Sequence, residues 1–251
     1  MTLKKLLTAT TILVASGTAS ADFIGLYAGT ENWNYDAEGI ISTGGGDIDL
    51  NQDLGFSDND DNTYYVAFEH PVPFLPNVKV QQTNLEGKAT GTTTQSFIFN
   101  DLAFPQGSAV ASAYDLSHTD YTLYYELLDN WVNLDLGLNA KEFDGFMSVN
   151  YQATSGTVGS TLDLSGTIPT AYGKAQFDFP LTGLSAGVTA NIGEKSGDKI
   201  SDIKGFIAYE GGTGFGVEFG YRTFDIEFDN FDSLASDIKF DGYYAGFTLH
   251  L

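Results

Sequence analysis

The residues with the most chemical potential in this 251-residue sequence are Ser117-His118-Thr119-Asp120, where a hydroxyl, an imidazole and a carboxylate stand within four positions. A general base needs its imidazole within hydrogen-bond reach of the proton it removes, so residue types alone do not make a site. On a strand, His118 and Asp120 share one face and Ser117 and Thr119 the other, which reads as a polar ladder. The other histidines offer less, since His70 abuts a proline-rich turn and His250 lies in the last strand. A second candidate is Asp58-Asn59-Asp60-Asp61-Asn62, with Glu69 at the twelfth position of a calcium-loop spacing. Thr63 stands where such a loop needs Gly, and alternation begins at Tyr64, so this is a solvated acidic segment rather than an EF-hand. No glycine-rich phosphate loop, zinc spacing or nucleotide fingerprint occurs, and no cofactor, metal site or catalytic residue is expected.

The third set of reactive groups is the largest and is spread over many strands. Lys79, Lys141, Lys174, Lys204 and Arg222 fall at mid-strand on polar faces, together with Glu69, Glu126, Asp135, Asp178, Asp202, Glu210 and Glu218. Charges held on the inner face of a narrow structure must be paired, so this set is expected to form an ion-pair network that fills and stiffens a lumen. Glu218 and Arg222, four apart on one face, are the first pair to test.

The elements that position these groups follow from a period of two. Strands are expected at Phe23 to Tyr35 and at Thr63 to Glu69, then from Val78, where the alternation fades after Gly87. Further strands resume around Ser108 and run to Leu127, then cover Val132 to Lys141, Thr161 to Phe179 and Leu184 to Ile192. The last three cover Ile203 to Tyr209, Phe215 to Tyr221 and Gly242 to Leu251. The clearest has Val132, Leu134, Leu136, Leu138 and Ala140 against Asn133, Asp135, Gly137, Asn139 and Lys141. Four short turns, at 71–76, 128–130, 180–183 and 211–214, alternate with longer connections. Asp36 to Asn62, Phe143 to Gly159 and Glu227 to Ala235 are expected to be long loops.

Lys4 and Lys5, the apolar run Leu6 to Ala15 and Ala19-Ser20-Ala21 have the three parts of a secretory signal, giving a cleaved segment 1–21 and a single domain 22–251. Cleavage leaves 9 Lys and Arg against 33 Asp and Glu, a net charge near −24 that repels nucleic acid. No segment approaches the roughly 20 apolar residues of a membrane helix. Cysteine is absent, so the ladder and packing hold the fold. An even strand number, alternating turn and loop lengths and strand ends rich in Tyr, Trp and Phe predict an all-β, antiparallel up-and-down transmembrane barrel of about ten strands in the outer membrane of a Gram-negative bacterium.

Glu69-His70-Pro71-Val72-Pro73-Phe74-Leu75-Pro76-Asn77, the stretch Tyr121 to Leu138 and the ending Phe247-Thr248-Leu249-His250-Leu251 resemble a family of small proteobacterial outer-membrane β-barrel proteins with no assigned activity. The ending is similar to the C-terminal signal read by the outer-membrane assembly machinery, with Leu251 in place of the usual terminal aromatic; Tyr243, Phe247, Leu249 and Leu251 would carry that signal. The resemblance implies location and fold and brings no catalytic residues. The expected partners are outer-membrane lipid and lipopolysaccharide, with the assembly machinery during biogenesis, and the expected state is a monomer. Three functions remain open: a structural or surface-interaction role, a narrow porin-like channel for ions or small solutes, and an outer-rim hydrolase centred on His118. Omptin-type proteases pair acids and an Asp-His couple at such a rim.

Overall fold

The computed structural model describes residues 24–72, 74–154 and 156–251; the expected signal segment 1–21 lies outside them. Among these residues fifteen strands follow in chain order. They are β1 (Gly25–Ser42), β2 (Ile48–Asp49), β3 (Asp58–Glu69), β4 (Asn77–Thr83), β5 (Glu86–Thr92), β6 (Phe97–Phe99), β7 (Leu102–Phe104) and β8 (Ala109–Asp115). Then come β9 (His118–Leu128), β10 (Val132–Ala153), β11 (Gly156–Asp178), β12 (Leu184–Lys195), β13 (Asp198–Glu210), β14 (Phe215–Phe231) and β15 (Leu234–His250).

Ten of them, β1, β3, β4 and β9 to β15, form an antiparallel ring in which β10 pairs with β11 and so closes the sheet. The expected barrel of about ten strands is therefore present. β15 lies between β1 and β14, with Tyr27 opposite His250 and Phe215 opposite Leu249, as its alternation requires. The four short turns all lie at one end of the barrel, which we call the turn end; the opposite end is the loop end.

Three expected loops are mostly strand. β1 runs to Ser42 against β15, and β3 starts at Asp58, which shortens the first loop to residues 43–57. β10 and β11 stay paired out to Ala153 and Gly156, so the segment read as a loop from Phe143 is a long hairpin. β14 and β15 meet at Asp232 and Ser233, both with positive φ, in a two-residue turn whose twist suits a hairpin.

These stretches were hidden because the hydrophobic alternation inverts partway along the strands. On β14, Phe215, Val217, Phe219 and Tyr221 point outward, whereas Phe224, Ile226 and Phe228 point inward. On β15, Phe240 and Ile238 are inside and Tyr243 and Phe247 outside. β10 changes between Leu138 and Phe143. On β1, Trp33, Tyr35 and Ala37 are buried above the half-exposed Leu26 and Ala28. Register aligns these crossings, since Trp33 faces Tyr244 and Arg222 faces Gly242.

The continuous buried core consequently sits inside the loop half. It includes Trp33, Phe143, Phe224, Phe240 and Ile226, all at most 2% exposed. Loop residues Ile48, Leu50, Leu54 and Phe56 cap it. At this end β4 and β9 continue as the separate hairpin β5/β8, with β8 on β10, and β6/β7 cross its tip. β5 has no ladder partner on its other edge among the described residues. Asp61 instead accepts from the Glu86 amide at 2.9 Å, and the Asn59 side chain donates to the Glu86 carbonyl. Side chains thus cover an edge that would otherwise pair with foreign strands.

Candidate functional site

In the turn half every second residue points into the lumen, and the inward set is the predicted polar one. The lumen there is a blind cavity of about 620 Å³. Its lining includes Glu69, Lys79, Glu126, Asp135, Lys174, Asp178, Asp202, Lys204, Glu210 and Glu218, so ten of the twelve residues expected to form a lumen network share this space. The other two, Lys141 and Arg222, lie above it.

Those two form the centre of a buried ionic layer. Arg222 Nε and Nη2 donate to the two carboxylate oxygens of Asp202, each at 2.8 Å. Lys141 Nζ lies 2.9 Å from Asp120 and 3.5 Å from Asp202. Asn139 donates to the other Asp120 oxygen at 2.7 Å and is itself held by Thr122 and Thr170. Two cations and two anions, at most 3% exposed, thus neutralise one another. Removing one member leaves a buried uncompensated charge, which is what makes such layers rigid. The Arg222 guanidinium also lies over Trp33, 4.5 Å from its ring centroid, so it joins the ionic layer to the aromatic core above. One step lower, Lys204 is bonded to Glu31.

The expected pair Glu218–Arg222 does not form. Four residues along a strand span about 13 Å, too far for contact. Arg222 takes Asp202 from the neighbouring strand, and Glu218 accepts from Tyr244 Oη at 2.5 Å. Gly220 makes this possible, since a Cβ there would stand 2.6 Å from the Tyr244 ring. Gly29 similarly lies under the Tyr65 ring, so glycines admit rings that cross a narrow lumen.

Neutral donors hold other carboxylates of the cavity. Tyr124 Oη donates to Glu69 at 2.7 Å, Asn77 to Glu126 at 3.0 Å and Asn133 to Asp178 at 2.6 Å. Lys79 and Lys174 have no carboxylate within 4.0 Å among the described residues; Lys79 Nζ instead sits 4.7 Å above the Tyr65 ring. The network is therefore two clusters plus a hydrogen-bonded wall. Sequence reasoning missed Glu31, because the inward face of β1 mixes Tyr27, Glu31 and Trp33 and shows no polar signature.

His118 is not at a rim. It is 1% exposed, its Nδ1 is 3.0 Å from the Leu116 carbonyl, and Phe143 and Phe224 pack on its ring. Asp120, 3.8 Å from Nε2, is already engaged by Lys141 and Asn139. Core residues separate this histidine from the solvent at the loop end, so the geometry of an outer-rim base is absent there. His70 Nδ1 accepts from the Val72 amide at 3.2 Å, and His250 stacks on Tyr27. The segment Asp58 to Asn62 is strand, with Asp61 bonded to Tyr35 and the Glu86 amide.

No protein-family model matches the chain, and no curated protein matches it. Among solved structures it is similar to the attachment invasion locus protein Ail of Yersinia pestis, solved with the heparin analogue sucrose octasulfate, at 10% identity over 90% of this chain and 99% of that one, with a TM-score of 0.34. The transport unit of the autotransporter AIDA-I from Escherichia coli is similar at 10% identity, covering 94% and 93% of the two chains, with a TM-score of 0.40. The toluene transporter TodX of P. putida is similar at 11% identity over 92% and 90%, with a TM-score of 0.28.

Proposed function

We propose that the chain is an integral outer-membrane β-barrel protein with a structural or surface-interaction role, closed to conduction. The observation that carries this is the common height at which hydrophobic alternation inverts. A barrel in water hides its apolar face along its whole length. Here all the strands of the turn half present apolar residues outward, such as Val66, Leu123, Leu138, Ile207 and Phe247, while the loop half turns them inward. Outside, the medium changes from lipid to water at that height. The turn end then faces the periplasm, and the loop end, with its strand extensions and the long connections 43–57 and 84–117, faces the exterior. The apolar outer band faces lipid, and the acidic strand extensions above it stand at the level of lipopolysaccharide head groups.

Closure follows from the interior. The ionic layer of Arg222, Asp202, Lys141 and Asp120, roofed by Trp33, Phe224 and Phe240, leaves no polar path from the cavity to the exterior. This favours the structural reading over the porin-like channel, and the enclosure of His118 favours it over the hydrolase. Fractionation and gel migration test location: recovery in the membrane fraction with heat-modifiable migration is expected, and a soluble periplasmic protein would end the proposal. Planar-bilayer recordings test closure, where discrete conductance steps in the unaltered protein would show that the core does not seal it. The assembly signal is tested by deleting residues 247–251, which removes Leu249 opposite Phe215 and Phe247 opposite Thr30 and is expected to abolish insertion.

A further inference from the structure

The cavity has a vertical order that a simple filling network does not require. At its mouth stand Glu69, Glu126, Asp129, Asp178 and Glu210, one from each of five strands or their adjoining turns, with no lysine or arginine among the lining residues at that height. Lys174 lies deeper, opposite Asp135, and Lys79 is beyond Tyr124 on the neighbouring ladder. Lys204 lies at the floor against Glu31. The lysines therefore do not neutralise the mouth. Between mouth and floor the wall is aromatic, with Tyr27, Tyr124 and Tyr172, and Trp131 stands at the rim. Deeper, opposite Tyr172 and Asp202, Asn191 Oδ1 lines the cavity and has no donor. Carboxylates and an unfilled carbonyl oxygen are acceptors; Tyr124 and Asn133 donate to two of the mouth carboxylates and His250 lies 3.6 Å from Glu210, yet with no lysine or arginine at that height the mouth keeps a net negative charge.

We infer that the cavity is a binding site for a small organic ammonium compound from the periplasm, its charged end held by the mouth carboxylates and its apolar body against the tyrosine and tryptophan walls. Three observations narrow the ligand. A volume of about 620 Å³ lies in the range of small-molecule pockets, and the space is blind, so an extended peptide would not pass through it. No three His, Cys, Asp or Glu side chains converge to hold a metal ion among the described residues, so the favoured cation is not a bare metal. Aromatic faces near carboxylates suit an ammonium group attached to an apolar body.

The chain supplies its own reporter. It has two tryptophans, of which Trp131 lines the mouth and Trp33 is sealed in the core at 1% exposure, so a change in fluorescence on binding arises from Trp131. The barrel in detergent micelles, which reads binding whatever the membrane of origin, is titrated with phenethylammonium chloride, with sodium phenylacetate and with magnesium chloride. Saturable binding of the ammonium compound is expected, with none of phenylacetate and no displacement by magnesium at equal ionic strength. In Glu69→Gln/Glu126→Gln, checked for folding by heat-modifiable migration, affinity is expected to fall by about tenfold or more, as lost charge-assisted bonds imply. Asp237→Asn, on the outer face at the far end, should bind as the parent does. Unchanged affinity in the double variant, an equal response to phenylacetate, displacement by magnesium, or no saturable binding would each overturn the assignment.

Discussion

The turn half and the loop half of the barrel are made largely by the same strands, yet their interiors differ as much as two solvents do. The turn half holds a cavity of carboxylates, lysines and tyrosines; the loop half holds Trp33, Phe224, Phe240, Ile226 and Ile238 at 1% exposure or less. Strand number fixes the diameter, but which side chains fill the ring decides whether it is a cup, a pore or a plug. The exterior chooses: where lipid takes the apolar residues, only polar ones remain for the lumen, and where water lies outside, the lumen becomes an ordinary protein core.

The boundary between the halves is where this contrast is easiest to break. Arg222→Ala removes both bonds to Asp202 and its cover over Trp33, and urea unfolding in vesicles should show a loss of about 3–5 kcal/mol, the usual cost of orphaning a buried ion-pair partner. Arg222→Met together with Asp202→Leu should recover most of that loss, because the pair's desolvation cost goes with it.

Within the loop half, Asp53 ties the capping turn of residues 50–56 to the strand hairpin, accepting from the Thr94 amide at 2.8 Å, from Thr94 Oγ1 at 2.6 Å and from the Asp49 amide at 3.1 Å. Burial alone would raise this carboxyl, but the Thr94 hydroxyl and amide and the Asp49 amide outweigh it and hold it below the usual carboxylate range. Its contribution is therefore present above the unfolded value near pH 4 and is lost as pH falls through the lower folded value. Hydrogen exchange of residues 49–56 should be slow at neutral pH and accelerate in acid, and Asp53→Asn should weaken that protection by about 1–3 kcal/mol, typical of bonds to a charged acceptor. A smaller effect, about 1 kcal/mol, is expected from Ile238→Val, which removes one methylene from a full core. Glu126→Gln in the cavity should change stability by less than about 0.5 kcal/mol, since its amide keeps an acceptor for Asn77 and the residue is exposed. A cost there equal to that of Ile238→Val would erase the distinction between the two interiors.

The turn half was legible in the sequence because its two faces differ so strongly: Leu134, Leu136 and Leu138 against Asp135 and Asn139 leave no doubt about strand or phase. The loop half was not. Reading through the inversion, Leu138 and Phe143 stand five apart, an odd interval that breaks a period of two, and the segment after Phe143 looked like loop. The inward charges were identified from alternation, whereas their partners were not, because pairing runs across strands and depends on register. Arg222 with Asp202 is such a case, adjacent in the sheet and 20 residues apart in the chain. The spacing of His118 and Asp120 suggests a reactive pair, and only the structure shows the aromatic rings that enclose the imidazole.

The β1–β15 seam has a kinetic consequence. It joins Tyr27 to His250 and continues to Ser42 opposite Ala235, so it closes nearly the longest loop the chain can make. Bringing ends about 220 residues apart together costs on the order of 5 kcal/mol in chain entropy, before any contact is gained. Local hairpins such as β14–β15 carry no such cost and form sooner. The ring therefore closes late, from a curved open sheet whose β1 and β15 edges expose unpaired amides and carbonyls. Once joined, sixteen successive residue pairs must separate to reopen it, so slow entry into the native state is matched by slower exit.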